Sequence, residues 1–311
     1  MTDHLDLGPG REFDAIRALI AQWGDAAEGL GDDAALLDVP AGSRLVVSVD
    51  ASVEGVHFQR DWLTPEEIGW RATAAAVSDL AAMAADPLGL LVSLSVPPRW
   101  MGDVLALGAG IAAAARAARL RIVGGDTTGG DRLTLSLTVL GSVRAPLTRA
   151  GALPGNIIYV TGELGGPAAA LRALTLGERP SQAHRARFAH PEPRLDAARW
   201  LAARGATAGV DISDGLAADL RHLAAASGVS LELDVTAVPI LAGATLDDAL
   251  CGGEEYELAV TAPALDTAAF EAATGLPITA VGVVRAGPPE LRGKRGDHRV
   301  DLPVGYDHFS S

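Results

Sequence analysis

The sequence predicts an α/β chain of two domains, with helices and strands in mixed order. Three observations lead there. The 311 residues are 49% apolar, enough to bury a large core and more than one folding unit. Apolar runs of period 2 alternate along the chain with Ala-rich runs at helical spacing. The segment Leu147–Gly155 gathers Gly151, Pro154 and Gly155, and a fresh strand pattern follows it, so the expected domains are 1–146 and 147–311.

Each element has a local reason. Phe13, Ile16, Leu19 and Ile20 recur at helical spacing across 12–23. An apolar strand is expected after Asp32-Asp33, and another over 45–50, ending in Asp50 with Ser48 and Asp50 on one face. Thr64-Pro65-Glu66-Glu67 combines a cap, a proline at the first helical position and a capping box; its helix is expected to run to about Ala85. A strand over 88–96, an Ala-rich helix over 104–119 and a short buried strand over 120–123 follow. Gly124-Gly125 should then turn the backbone and present Asp126. Residues 132–143 alternate as a strand. Beyond the boundary, strands are expected at 157–161, 208–212, 230–234, 256–261 and 278–284, with helices after 162–166 and 213–215 and over 196–204 and 265–273. Segments 181–193 and 287–297 read as a polar loop and a polar turn.

Composition narrows the function. A formal net charge of −14 argues against nucleic acid as a partner, because neutralising phosphates needs a basic face. The N-terminus has no apolar signal core, and the longest apolar tract, 72–96, is interrupted by Asp79, Asp86 and Pro87, so neither a signal peptide nor a membrane span is expected. A single cysteine, Cys251, excludes an intrachain disulfide framework and fits a reducing cytoplasm. Lys294 is the only lysine, and no Gly-x-x-x-x-Gly-Lys-Ser/Thr run occurs, so this is not a P-loop protein.

Acidic residues beside glycines at strand ends recur five times: Asp32-Asp33, Asp50, Asp126, Asp211 with Asp214, and Glu254-Glu255. Asp79 adds a carboxylate on a small, apolar helix face, where it requires an arginine, a cap or a metal. Two carboxylates about 4 Å apart in a partly buried site repel by roughly 4 kcal/mol, which a shared cation offsets; a solvated turn is the plain alternative for Asp32-Asp33. Magnesium takes only one or two carboxylates per ion alongside waters and phosphate oxygens, so this set suits several ions and a polyphosphate. The Gly162–Gly166 turn before a helix reads either as an anion site or as plain packing. Ser213 or Asp214 could cap the helix that follows.

In order along the chain, Gly-Asp-Asp-Ala-Ala-Leu (31–36), Ser-Asp-Leu-Ala-Ala-Met-x-Ala-Asp-Pro (78–87), Gly-Gly-Asp-Thr-Thr (124–128), Leu-Thr-Arg-x-Gly (147–151), Asp-Ile-Ser-Asp-Gly-Leu (211–216), Gly-Gly-Glu-x-Tyr-Glu-Leu (252–258) and Gly-Tyr-Asp-His-Phe (305–309) together resemble the thiamine-monophosphate kinase family. The resemblance implies the two-domain aminoimidazole-ribonucleotide-synthetase-like fold. Its N-terminal domain would bind ATP and magnesium and form the sheet of a homodimer; its C-terminal α/β domain would complete the active site. It implies phosphorylation of thiamine monophosphate by ATP, the co-substrate, with several magnesium ions. By position, Asp33, Asp50, Asp79, Asp126, Asp211 and Asp214 correspond to metal ligands; Ser48, Gly125, Asp126, Arg149 and Ser213 to nucleotide contacts; His57, Glu254 and Tyr306 to substrate contacts. Asp126, Asp211 and Arg149 are the expected catalytic set. Val49 and Ala51 stand where the family often has threonine, Cys251 where it often has serine, and Glu255 where it often has aspartate. The alternatives are another ATP-dependent enzyme of the same superfamily, or a non-catalytic protein that binds nucleotide or divalent metal.

Overall fold

A computed structural model describes residues 11–31 and 33–305. The chain divides into two compact units. The first comprises residues up to 80 with 85–144; the second comprises 81–84 with residues from 145 onward.

The first unit contains helix α1 (Arg11–Trp23), strand β1 (Arg44–Val53), helix α2 (Pro65–Ala82, whose last two residues belong to the second unit), strand β2 (Asp86–Val96), helix α3 (Val104–Ala117) and strands β3 (Ile122–Gly129) and β4 (Thr134–Val143). Its four-stranded sheet has the order β1-β4-β2-β3, with β2 and β3 parallel and the other pairs antiparallel. The period-2 pattern separates the faces. Leu135, Leu137, Val139, Leu90, Val92 and Leu94 are buried, while Ser136, Thr138, Leu91 and Ser93 on the other face are half-buried. The capping box of α2 is formed: Thr64 Oγ1 accepts the Glu67 N–H at 3.3 Å, and Glu67 accepts the Thr64 N–H at 2.8 Å. Helices α2 and α3 approach through glycine, since a Cβ on Gly69 would collide with the Leu107 carbonyl, and one on Gly110 with that of Glu66.

The second unit contains β5 (Ile157–Thr161), α4 (Gly166–Thr175), α5 (Gln182–Ala189), α6 (Leu195–Ala203), β6 (Ala208–Asp211), α7 (Leu216–Ser227), β7 (Ser230–Asp234), α8 (Leu246–Cys251), β8 (Leu258–Ala262), α9 (Thr267–Thr274), β9 (Ile278–Arg285), β10 (Glu290–Arg295) and β11 (His298–Val300). The strands form one sheet in the order β11-β10-β7-β9-β5-β8-β6; β10 and β7 are parallel and the other neighbours antiparallel. Leu216, Leu220 and Leu223 of α7 enter its core with Val160, Leu231 and Leu233.

Four local expectations are corrected. Asp126 is not at a turn: β3 runs on through both glycines, because hydrogen bonding to β2 brings Gly125 so close to the Val92 carbonyl that no side chain fits. Segment 34–37 is not a strand, and Leu36 is 99% exposed. The polar segment after Ser181 is helix α5, started by the Ser181 side chain, which accepts the His184 N–H at 3.2 Å, and anchored by buried Phe188. Residues 290–295 form β10, since parallel pairing with β7 gives their backbone groups partners that local polarity does not reveal.

Candidate active site

The second unit builds a compact acidic group where β6 passes into α7. Asp211 ends the strand and is 3% exposed. Antiparallel bonding continues past it: Ile212 donates to the Glu257 carbonyl at 2.8 Å, Tyr256 to the Ile212 carbonyl at 2.9 Å, and Glu254 to the Ser213 carbonyl at 2.8 Å. This brings Ser213 and Glu254 side by side. Glu254 and Tyr256 both adopt left-handed backbone, φ 63° and 53°, a conformation that costs a non-glycine residue about 1–3 kcal/mol. Gly253 is required beneath them, because a Cβ there would collide with the Ser213 carbonyl.

Neither Ser213 nor Asp214 caps α7. The cap position is Gly215, at φ 104°, with no side-chain bond. Instead Asp219, in the first turn of α7 and 1% exposed, accepts the N–H of Ser213 at 3.0 Å and of Asp214 at 3.1 Å on the same oxygen, Oδ2. Burial, and then the nearby Asp211 and Asp214 charges, push the Asp219 carboxyl up to about 8. The described chain also ends here. Arg221 donates to the carbonyls of Leu302 and Val304, both at 3.0 Å, and Gly305 lies so close to Ala218 that a Cβ would come within 2.6 Å of its methyl. Tyr306 and Asp32 lie outside the described residues.

A buried ion network supports the Glu254 segment from behind. The fully buried Glu257 carboxylate accepts from Arg194 Nε at 2.9 Å and Nη2 at 2.6 Å, and from Thr161 Oγ1 at 2.7 Å; Arg187 Nη1 lies 2.8 Å away. Glu255 Oε1 accepts the Gly165 N–H at the start of α4. The helix N-terminus that the sequence left open as an anion site is therefore filled by the chain's own Glu255 carboxyl oxygen. Burial is the main reason the Glu255 carboxyl is pushed up to about 8.

In the first unit the expected residues fall into separate places. Ser48 Oγ donates to Asp79 Oδ2 at 2.5 Å, and Asp50 lies on the same face of β1 as Ser48. His57 Nδ1 accepts the Val53 N–H at 3.1 Å, so its neutral form carries the proton on Nε2. Asp33, Gly125 and Asp126 line a cavity of about 830 Å³ with Ser93, Ser136 and Thr138. The register aligns Asp50, Leu137, Val92 and Gly125 in one row and Ala51, Ser136, Ser93 and Asp126 in the next, so Asp50 and Asp126 point to opposite faces from opposite edges of the sheet. Arg149 is exposed; its carbonyl accepts from Ser227 Oγ at 2.8 Å, at the far end of α7 from Asp214.

The chain matches the family described as AIR synthase related protein, with its N-terminal domain over residues 31–143 and its C-terminal domain over 154–293. It is 36% identical to the thiamine-monophosphate kinase of Salmonella typhimurium strain LT2, over 97% of each chain. The chain belongs to the thiamine-monophosphate kinase family. Among solved structures, the thiamine-monophosphate kinase of Stenotrophomonas maltophilia K279a is 37% identical, with a TM-score of 0.79 over 92% of this chain and 96% of that one. A structure described as AaThiL complexed with AMPPCP and TMP is 28% identical, with a TM-score of 0.76 over 96% and 97%.

The family resemblance implies magnesium, and the donors fit it. They are carboxylate and hydroxyl oxygens, hard ligands of the type the ion prefers. The Asp211 and Asp214 charges, which help push the Asp219 carboxyl up, are what a cation would offset. Among the described residues no three Asp, Glu, His or Cys side chains already converge on one point, so water and phosphate oxygens would complete any coordination. Sequence reading missed Asp219, Arg187, Arg194 and Glu257. Glu257 lies within the Gly-Gly-Glu-x-Tyr-Glu-Leu motif and Asp219 three residues beyond Asp-Ile-Ser-Asp-Gly-Leu, so both carry a local signal; the two arginines leave none, because they reach the site only through folding.

Proposed function

We propose that this protein transfers the γ-phosphoryl group of ATP to the phosphate of thiamine monophosphate, giving thiamine diphosphate. The observation that carries this reading is the 36% identity, over 97% of both chains, to a relative of that name. The AaThiL complex supports an ATP-like nucleotide and TMP as the small-molecule pair. No helix among the described residues is long and apolar enough to cross a membrane. A cytoplasmic location is part of the proposal.

The attacking group is a phosphate oxygen, already anionic, so direct in-line transfer needs no general base. The task of the chain is to bring two polyanions together and hold them. Asp33, Asp50, Asp79, Asp126, Asp211 and Asp214 would hold several magnesium ions. When bound, those ions would supply the positive charge which the protein, at −14, does not. Arg149 would add a guanidinium at the phosphates, Ser48, Gly125 and Ser213 would contact the nucleotide, and His57, Glu254 and Tyr306 would contact thiamine monophosphate. Residues 1–146 would serve as the nucleotide and dimerisation domain, and 147–311 would complete the site. Pairing with a second copy is supported by the row Leu45, Val47 and Val49 on β1, which are 50–66% exposed.

The test incubates purified protein with ATP, magnesium and thiamine monophosphate and follows both products by chromatography. Equal amounts of ADP and thiamine diphosphate, lost on chelation, are expected. ADP without thiamine diphosphate would move the chain to another acceptor, and neither product from a folded protein would overturn catalysis. Light scattering checks the dimer, which Val47→Lys should disperse.

A further inference from the structure

We infer that Asp219 is a positioning residue, the internal anchor that fixes the Ser213–Asp214 turn and through it the Glu254 segment. The inference deepens the functional reading above, since it rests on Ser213, Asp214 and Glu254 belonging to the site.

The geometry is specific. The link from β6 to α7 is four residues long, Ile212 to Gly215, with Ile212 bonded to the Glu257 carbonyl and α7 beginning at Leu216. Two successive amides in this link, Ser213 and Asp214, converge on the single oxygen Oδ2 of Asp219. An acceptor shared by adjacent N–H groups fixes the peptide plane between them, and with it the directions in which the Ser213 and Asp214 side chains leave the backbone. The other side of the same turn, the Ser213 carbonyl, accepts from Glu254 at 2.8 Å. One buried side chain therefore holds three residues of different proposed roles in a common frame. The helix offers no substitute. Its cap position is glycine, which has no side chain to accept these amides, and a Cβ on Gly215 would come within 2.8 Å of the Leu250 carbonyl oxygen. Asp219 is rooted in the first turn of α7, whose neighbours Leu216, Ala217 and Leu220 are fully buried, so the anchor itself is rigid.

The test compares Asp219→Asn, whose side-chain carbonyl can accept the same two amides, with Asp219→Ala, which offers no acceptor. In the full-length, metal-free chain, hydrogen exchange at the Ser213 and Asp214 amides should quicken about thirtyfold in the Ala variant and by less than about threefold in the Asn variant. In calorimetry with magnesium and a non-hydrolysable ATP analogue, Ala should weaken binding at least tenfold, and Asn should remain within about fivefold of the parent protein. The rise in KM for ATP in the Ala variant should be largely restored in Asn. Unchanged exchange in Ala, or equal weakening of binding by Ala and Asn, would overturn the inference. If the Ala protein does not fold, loss of protection or of binding in a folded Asn protein overturns it equally. Exchange and calorimetry decide the role of Asp219 even where turnover of thiamine monophosphate fails and the functional reading falls.

Discussion

Replacing Arg194 with Met should destabilise the second unit by about 4 kcal/mol. The Glu257 carboxylate is fully buried and draws on three groups: the Thr161 hydroxyl, Arg187, and the paired bonds of Arg194 at 2.9 and 2.6 Å. The substitution removes both Arg194 bonds at once. Hydrogen bonds to charged groups contribute about 1.5–3 kcal/mol each, and stripping one partner from a buried pair costs about 3–5 kcal/mol. Arg187 stays in place and moderates the loss, but it also serves Glu255, 3.6 Å away. For a unit of this size, about 4 kcal/mol lowers the melting midpoint by roughly 8–16 °C. Urea denaturation, with hydrogen exchange read on peptides of β5, β6 and β8, isolates the second unit. The double variant Arg194→Met/Glu257→Leu should be less destabilised than the sum of the two single changes, with a coupling of at least about 2 kcal/mol, because it removes both the charge and its partner. A loss below about 1 kcal/mol for Arg194→Met, or strict additivity, would refute the view that this pair braces the Glu254 segment.

Asp211→Asn should leave the fold intact and lower turnover at least about a thousandfold, since it removes a full charge from the proposed metal set; near-normal kcat would remove Asp211 from that set. Gly125→Ala drives a methyl into the Val92 carbonyl and should cost about 2–3 kcal/mol while weakening nucleotide binding, checked by denaturation and calorimetry. In metal-free protein, Asp219 and Glu255 both keep their protons up to about pH 8, whereas the unfolded chain releases them near 4. Their stabilisation is thus complete below pH 4 and is lost as pH rises through about 8. Glu255→Gln should make the fall in stability shallower by up to about 1.4 kcal/mol per pH unit between pH 5 and 8, and parallel curves for the two proteins would count against the assignment.

Part of the local structure around the candidate site was legible in the sequence. Thr64-Pro65-Glu66-Glu67 announces a helix start through bonds that span only three residues, and the structure forms both. Ser48 and Asp50 share a face because a strand alternates with period 2. Asp126 was misplaced for an equally local reason: two glycines predict a turn, unless a neighbouring strand comes close enough to require them. Helix α5 and strand β10 were missed because both are polar in sequence and are fixed by a buried phenylalanine and a parallel partner strand.

The sequence by itself determined the succession of elements, the acidic character of the site and the family, because these follow from short-range pattern and from motifs kept in order. Only the tertiary structure decided which acids are neighbours. It aimed Asp50 and Asp126 at opposite faces of one sheet, gave the N-terminus of α4 to Glu255, and recruited Arg187 and Arg194, 70 and 63 residues away from Glu257, as that carboxylate's counter-charges. The reason is physical: a buried charge must find its partner in space, and spatial partners far apart along the chain leave no periodicity to read.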